Sequence, residues 1–285
     1  MSQETAFSGA YRMLTHGFRV KSDIAEVAEL VPALLAPFES SPMRGMTAYR
    51  LASNGAGDDP YTISVDGTIA ARVATSLGLI DELLWHANGE AIRKEDRSVA
   101  IHAAAASLDG VGVILPAAPD SGKSTTVAGL LRAGFSYLTD EAALIDSVSC
   151  EVKPYPKPIW LAPPSVRAIP ELQRNVLPPF RSLDRIRTYV RPQDLGTAGI
   201  AAPCPIRLVV SPRYIPGSPL EAERLSKAST MMCLAENAFN LGRIGPGGIH
   251  TLRAVADSAE GFHLRFGKLE EATQLITRLL EEMRS

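Results

Sequence analysis

A chain of 285 residues, 46% hydrophobic and 21% charged, has the composition of a globular protein with a buried core, which excludes wholesale disorder. A formal net charge of −2 gives no global electrostatic case for nucleic-acid binding. No apolar run reaches bilayer-spanning length, and the N-terminus lacks a basic stretch leading into an apolar one, so neither a membrane span nor a secretory signal is expected.

In chain order, Ile24, Val27, Leu30, Val31, Leu34 and Leu35 repeat at helical spacing within residues 24–37. Thr47–Ala52 and Tyr61–Val65 read as short strands, the second closing on Asp66 and Gly67, a turn signal. Residues 69–93 read as largely helical, with Val73, Leu77, Ile80, Leu83, Leu84 and Ala87 apolar. These elements make a small N-terminal α/β lobe, residues 1–96, without a chemical motif.

Residues 97–285 form the second expected domain. Val99–Ser107 is a strand that turns at Asp109 and Gly110 into Val111–Leu115, a β-hairpin. A helix follows over about 123–133, capped at Gly134. Residues 135–139 and 142–145 are strand-like. Residues 153–180 are rich in proline, which fixes φ and removes a donor, so this region reads as loop or edge that wraps the site. Further on come a strand at Ile206–Val210, a helix at Leu225–Phe239, a flexible Gly-rich connection at Gly242–Gly248, a helix at Ile249–Ala259, a strand at Gly261–Phe266 and an amphipathic helix at Leu269–Met283. Cys150, Cys204 and Cys233 form no C-x-x-C pair and read as buried or incidental thiols of a reducing compartment, consistent with a cytoplasmic location.

The hairpin's second strand runs straight into Asp120, Ser121, Gly122, Lys123, Ser124 and Thr125, and then into a helix. Strand, tight loop with Gly-Lys-Ser, and helix is the layout of a phosphate-binding P-loop. Backbone N–H groups of such a loop and the helix dipole favour an anion, Lys123 neutralises terminal phosphates and the Ser124 hydroxyl binds Mg²⁺. Ala117 stands where the usual motif has its first glycine, a position that often needs a conformation alanine tolerates poorly. Asp140 and Glu141 end a strand one helix later. One of them suits Mg²⁺ and the other a base that takes an acceptor's proton, against the plainer reading of a solvated acidic pair. His102 lies in the alanine-rich strand before the turn, either a satisfied core residue or a group tuned by a neighbouring carboxylate. Lys157 and Arg243 are further basic candidates for a phosphate or for transition-state charge; solvated surface charge is the plainer reading of each.

The run His102-Ala-Ala-Ala-Ala, Asp109-Gly-Val-Gly-Val-Ile-Leu, Asp120-Ser-Gly-Lys-Ser-Thr, Gly134-Phe, Tyr137-Leu-Thr-Asp-Glu and Pro154-Tyr-Pro-Lys-Pro resembles the HPr kinase/phosphorylase-like family. It is most similar to the bacterial HprK-related kinases, among them kinases acting on lasso-peptide precursors. The resemblance covers about residues 97–160 well and reaches loosely through Phe262-His-Leu-Arg-Phe-Gly-Lys-Leu-Glu-Glu-Ala. It implies an α/β mixed-sheet fold of the phosphoenolpyruvate carboxykinase type, in which a hairpin precedes the P-loop. It further implies that Lys123, Ser124, His102 and the Asp140–Glu141 pair occupy the family's motif positions. Glu141 departs from the family's second Asp, and its extra methylene moves the carboxylate outward by roughly one single bond, about 1.5 Å. No segment matches the family's recognition element for HPr, so HPr itself is not the expected acceptor.

The leading expectation is an ATP- and Mg²⁺-dependent kinase. It would pass the γ-phosphoryl group to a hydroxyl of a peptide or protein Ser/Thr or of a small metabolite, with no nucleic-acid or membrane partner and with a homo-oligomer possible from the hexamers of the HPr kinases. The alternative is a nucleotide-binding regulator without transfer activity, for which Ala117 and Glu141 would be signs of drift. A third is a structural module that binds no nucleotide.

Overall fold

The computed structural model describes residues 7–55, 57–169, 172 and 188–283. The prolines expected to sit in loop at 178 and 179 lie outside them. Two compact units are separated, Met1–Glu95 and Asp96–Ser285.

The first unit carries a five-stranded sheet in chain order: β1 (Phe7–Met13), β2 (His16–Ser22), β3 (Thr47–Ser53), β4 (Tyr61–Val65) and β5 (Thr68–Val73). Neighbours are antiparallel except β2 and β3. Those two run parallel because helix α1 (Ala25–Leu35) carries the chain across between them. Helix α1 buries Val27, Leu30, Val31, Leu34 and Leu35, and helix α2 (Ser76–Lys94) buries Leu79, Ile80, Leu83, Ala87 and Ala91. The Thr75 hydroxyl accepts from Gly78 N at 3.0 Å and sets the start of α2. Residues 69–73 are therefore strand, not the opening of a helix, and β1 and β2 are additional to the expected elements.

The second unit is a mixed α/β structure. Its main sheet has the order β10 (Glu151–Lys153), β9 (Ala142–Asp146), β6 (Ser98–Leu108), β7 (Val111–Pro116), β13 (Cys204–Tyr214), β15 (Glu260–Phe266) and β14 (Glu221–Leu225), with β8 (Ser136–Thr139) also on β6. β6 and β7 form the anticipated antiparallel hairpin, turned by Asp109 and Gly110, both at positive φ (49° and 81°). β13 runs parallel to both β7 and β15. β10 pairs with β13 as well as with β9, so the ladders β6–β9–β10–β13–β7 close on themselves.

Inside lies the core: Val99, Ile101, Ala103, Ala105, Ile114, Val152, Ile206 and Val209, with Leu234, Leu252 and Val255 from helices α5 (Lys227–Glu236) and α7 (Pro246–Ser258). The odd residues of β6 belong to this core. By the two-residue period of a strand, His102, Ala104 and Ala106 face the other way. Helix α3 (Lys123–Arg132) follows β7, and helix α8 (Leu269–Glu282) ends the unit. α3 and α8 pack closely: a Cβ on Gly129 would meet Thr273 Oγ1 at 2.7 Å.

The described part of the proline-rich stretch holds β11 (Ile159–Leu161), which pairs with β12 (Thr188–Val190) in a separate two-stranded ladder, and the short helix α4 (Pro163–Ala168), so these residues lie outside the main sheet, as their prolines favour. The stretch Gly242–Gly248 is not a flexible connection: helix α6 (Leu241–Ile244) and the start of α7 occupy it, divided by Gly245. The helix expected over Leu225–Phe239 is shorter, because Ser226 caps it by accepting from Ser229 N at 3.1 Å.

Candidate functional site

β7 ends at Pro116 and the chain turns through Ala117–Gly122 into α3. The left-handed positions of this turn are Asp120 (φ 61°) and Gly122 (φ 98°). Ala117 is not among them, which explains why an alanine is accepted there in place of the motif's glycine. Lys123, 6% exposed, folds back over the turn: its Nζ donates to the carbonyls of Ala117 and Ala118, each at 2.7 Å. Burial lowers its pKa, opposed by the charges of Asp120, Asp140 and Glu141. Thr126 locks the first turn of α3, its N and Oγ1 both donating to Gly122 O (2.8 and 2.9 Å). Ser124 is half-buried in that same turn. The Thr125 hydroxyl is instead 2.6 Å from Ser165 Oγ on α4. Ser121 Oγ is buried without a hydrogen-bond partner among the described residues.

β8 and β9 pair with successive stretches of β6, and the ladder slips register between Ala105 and Ala106. Asp140 and Glu141 fill the gap between the two strands, so a break in a long edge delivers both carboxylates to the end of the sheet where the loop begins. Bulged strands often re-aim side chains in this way. Their environments differ sharply. The Asp140 side chain is 2% exposed and the Glu141 side chain 39%. Asp140 Oδ1 accepts from Tyr137 Oη and Lys157 Nζ, both at 3.3 Å, and Oδ2 accepts from Trp160 N at 3.1 Å. Burial pushes the Asp140 carboxyl upward, with Lys157 opposing and Glu141 adding.

Lys157 is not surface charge. It is 8% exposed, and besides Asp140 it meets Glu141 Oε2 at 2.5 Å. The two carboxylates outweigh its burial and hold it protonated above the usual lysine range. The proline-rich segment thus lies against the carboxylate pair and supplies both this ammonium and the Trp160 N–H. The signal in the sequence was the lysine between two prolines; the contact across 17 residues was not readable.

His102 stands on β6 opposite Ala142, next to the end of β7. It is half-buried, with its ring 5.4 Å from Phe239, itself 48% exposed. Burial and the nearby Lys123 lower its pKa, with Glu141 opposing, so it favours the neutral form. The stretch Asn237–Asn240 covers the free edge of β6 here. His102 N donates to Asn237 O at 2.7 Å, and Asn240 bridges Ala100 N and Ser98 O, both at 2.9 Å. Arg243 follows on α6 and is exposed. Lys123, His102, Asp140, Glu141 and Lys157 converge on one end of the sheet, each linked by charge to others in the group.

Among the described residues no group of three or more His, Cys, Asp and Glu side chains is arranged to hold a metal ion. No helix among them is long and apolar enough to cross a membrane. Searches against protein-family models and against curated proteins find no match for this chain.

Proposed function

We propose that the Asp96–Ser285 unit binds a nucleoside triphosphate at the Ala117–Lys123 turn and transfers its γ-phosphoryl group to a hydroxyl. The observation that carries this reading is Lys123 Nζ bonded to two loop carbonyls at the N-terminus of α3, with two carboxylates at the same sheet end. A phosphate would offer the ammonium anionic acceptors in place of neutral ones, and charge-assisted bonds are the stronger kind. Phosphoryl transfer asks little of a protein beyond placement and charge. The motif resemblance to HPr kinases supports the same reading, with a peptide, protein or small-metabolite hydroxyl as acceptor.

Mg²⁺ takes one or two carboxylates together with phosphate oxygens and waters, so the lack of a larger ligand cluster does not argue against it. Ser124 and Asp140 offer hard oxygen donors of that kind, and these residues would hold it. The ion would supply charge to the phosphates. Glu141, the more exposed carboxylate, is the member that an acceptor hydroxyl reaches and the better candidate to take its proton.

One observation favours a second reading, a nucleotide-dependent regulator. Lys157 pairs with both carboxylates and so occupies the base. The test is incubation of the full chain with γ-labelled ATP·Mg²⁺ and a panel of Ser/Thr peptides and polyols, beside Lys123→Ala. The kinase reading expects label transfer by the parent and none by a folded Lys123→Ala. Equal transfer by both overturns it. Nucleotide-induced stabilisation without turnover, about 2.7 kcal/mol at 100 times the dissociation constant, favours the regulator.

A further inference from the structure

The turn has two flanks, and they differ. β6 and β9 on one side bring His102, Asp140 and Glu141. On the other side β13, parallel to β7, ends at Tyr214. Tyr214 N donates to Ser121 O at 3.0 Å, and a Cβ added at Gly122 would lie 3.1 Å from Tyr214 Cβ. The backbone of Tyr214 is therefore fixed against the turn. The residue is nevertheless 47% exposed, while Phe266 on β15, with its ring centroid 5.7 Å from that of Tyr214, is 2% exposed. A large aromatic ring thus stands half in water on a rigid mount, backed by a buried one.

A triphosphate whose terminal phosphate faces the carboxylates must lead its nucleoside off the opposite flank, which is where Tyr214 stands. Phe239, a second exposed aromatic among the described residues, sits beside His102 on the carboxylate flank, where an acceptor approaches. We infer that Tyr214 is the platform on which the nucleobase stacks, an inference that rests on the proposed nucleotide reading. Stacking engages the π-face that every base has. The base therefore contributes affinity with little choice between purines, and ATP and GTP are both ligands.

The experiment is calorimetric titration of the full chain and of Tyr214→Ala and Tyr214→Trp with ATP, GTP and inorganic tripolyphosphate, each with Mg²⁺. Tyr214→Ala is expected to weaken both nucleotides roughly 5- to 150-fold, the span of base–aromatic stacking. Tripolyphosphate, which has no base, keeps its affinity within about twofold, and Tyr214→Trp restores nucleotide binding. Unchanged ATP affinity in Tyr214→Ala overturns the inference. Equal loss of ATP and tripolyphosphate also overturns it, because the ring would then only prop the turn. Failure of the parent chain to bind either ligand is a different result: it removes the nucleotide reading itself and the platform with it.

Discussion

Lys157 Nζ lies 3.3 Å from Asp140 Oδ1, with the two side chains 11% and 2% exposed. A charge pair so withdrawn from water is stable only while both partners remain. Removing one leaves the other buried and uncompensated, which typically costs about 3–5 kcal/mol. Lys157→Met is therefore expected to lower unfolding free energy by roughly that amount, reduced where Glu141 keeps its contact with solvent. Lys157→Met combined with Asp140→Asn should lose much less than the sum of the two single variants. Urea titration of the four proteins reads the coupling, and strict additivity would show that the pair is not acting as one unit.

Gly122 holds φ 98° with Tyr214 Cβ against its open side. Gly122→Ala should meet both the left-handed penalty, about 1–2 kcal/mol, and a contact that has to give. Phosphate binding is expected to be lost with it. Ala117→Gly should do nothing for nucleotide affinity, since the turn does not ask Ala117 for a positive φ. An affinity gain of tenfold or more in Ala117→Gly would mean that the motif's missing glycine does limit binding.

The turn and its helix were legible because their signals are local: an Asp-Gly hairpin, an apolar strand, then Gly122, Lys123 and Ser124. Asp140 and Glu141 were legible as a pair but not as unequal partners, since which carboxylate is buried depends on a strand break and on Lys157 arriving from the proline-rich segment. Tyr214 carried no signal, because its role depends on β13 lying beside β7 across roughly a hundred residues. β14 is silent in the sequence for a plainer reason: Glu221, Ala222, Glu223 and Arg224 are exposed, and an edge strand with no buried face shows no apolar alternation. In β5 the apolar residues run into those of α2, and Thr75 alone marks the division of strand from helix.

The unequal carboxylates make different predictions. Glu141→Gln removes the reachable base and keeps the shape, so transfer should fall by 10²- to 10⁴-fold, the range general-base catalysis spans. ATP·Mg²⁺ affinity should stay within a few-fold. Asp140→Asn also disturbs the acceptors for Tyr137, Lys157 and Trp160. It should therefore lower stability as well as transfer. Thermal unfolding beside single-turnover label transfer separates the two, and a fully active Glu141→Gln would take the base role away from Glu141.

The first unit has its own titration. His16 is 1% exposed; its Nδ1 lies 3.1 Å from Lys94 Nζ and its Nε2 3.4 Å from Tyr49 Oη, which is 2.8 Å from His86 Nδ1. The Lys94 ammonium can only donate, so His16 accepts at Nδ1, carries its proton on Nε2 toward Tyr49, and Tyr49 donates to His86. A second proton on His16 would face Lys94. Burial, with Lys94 and other nearby cations adding, depresses its pKa from 6.5 to about 4, against the pull of Glu90. A depressed folded pKa means that the unfolded chain binds the proton more readily. The stabilisation is fully present above about pH 6.5 and is lost as the pH falls toward about 4. The loss amounts to at most about 3 kcal/mol. His16→Phe, which keeps an aromatic ring against Phe18, should flatten this acid limb while leaving the neutral-pH midpoint lower by the lost hydrogen bonds. Hydrogen exchange of β2 and β3 amides at pH 7, 5.5 and 4.5 reads it in the full chain. Protection that falls equally with acid in both proteins would assign the pH dependence to another group.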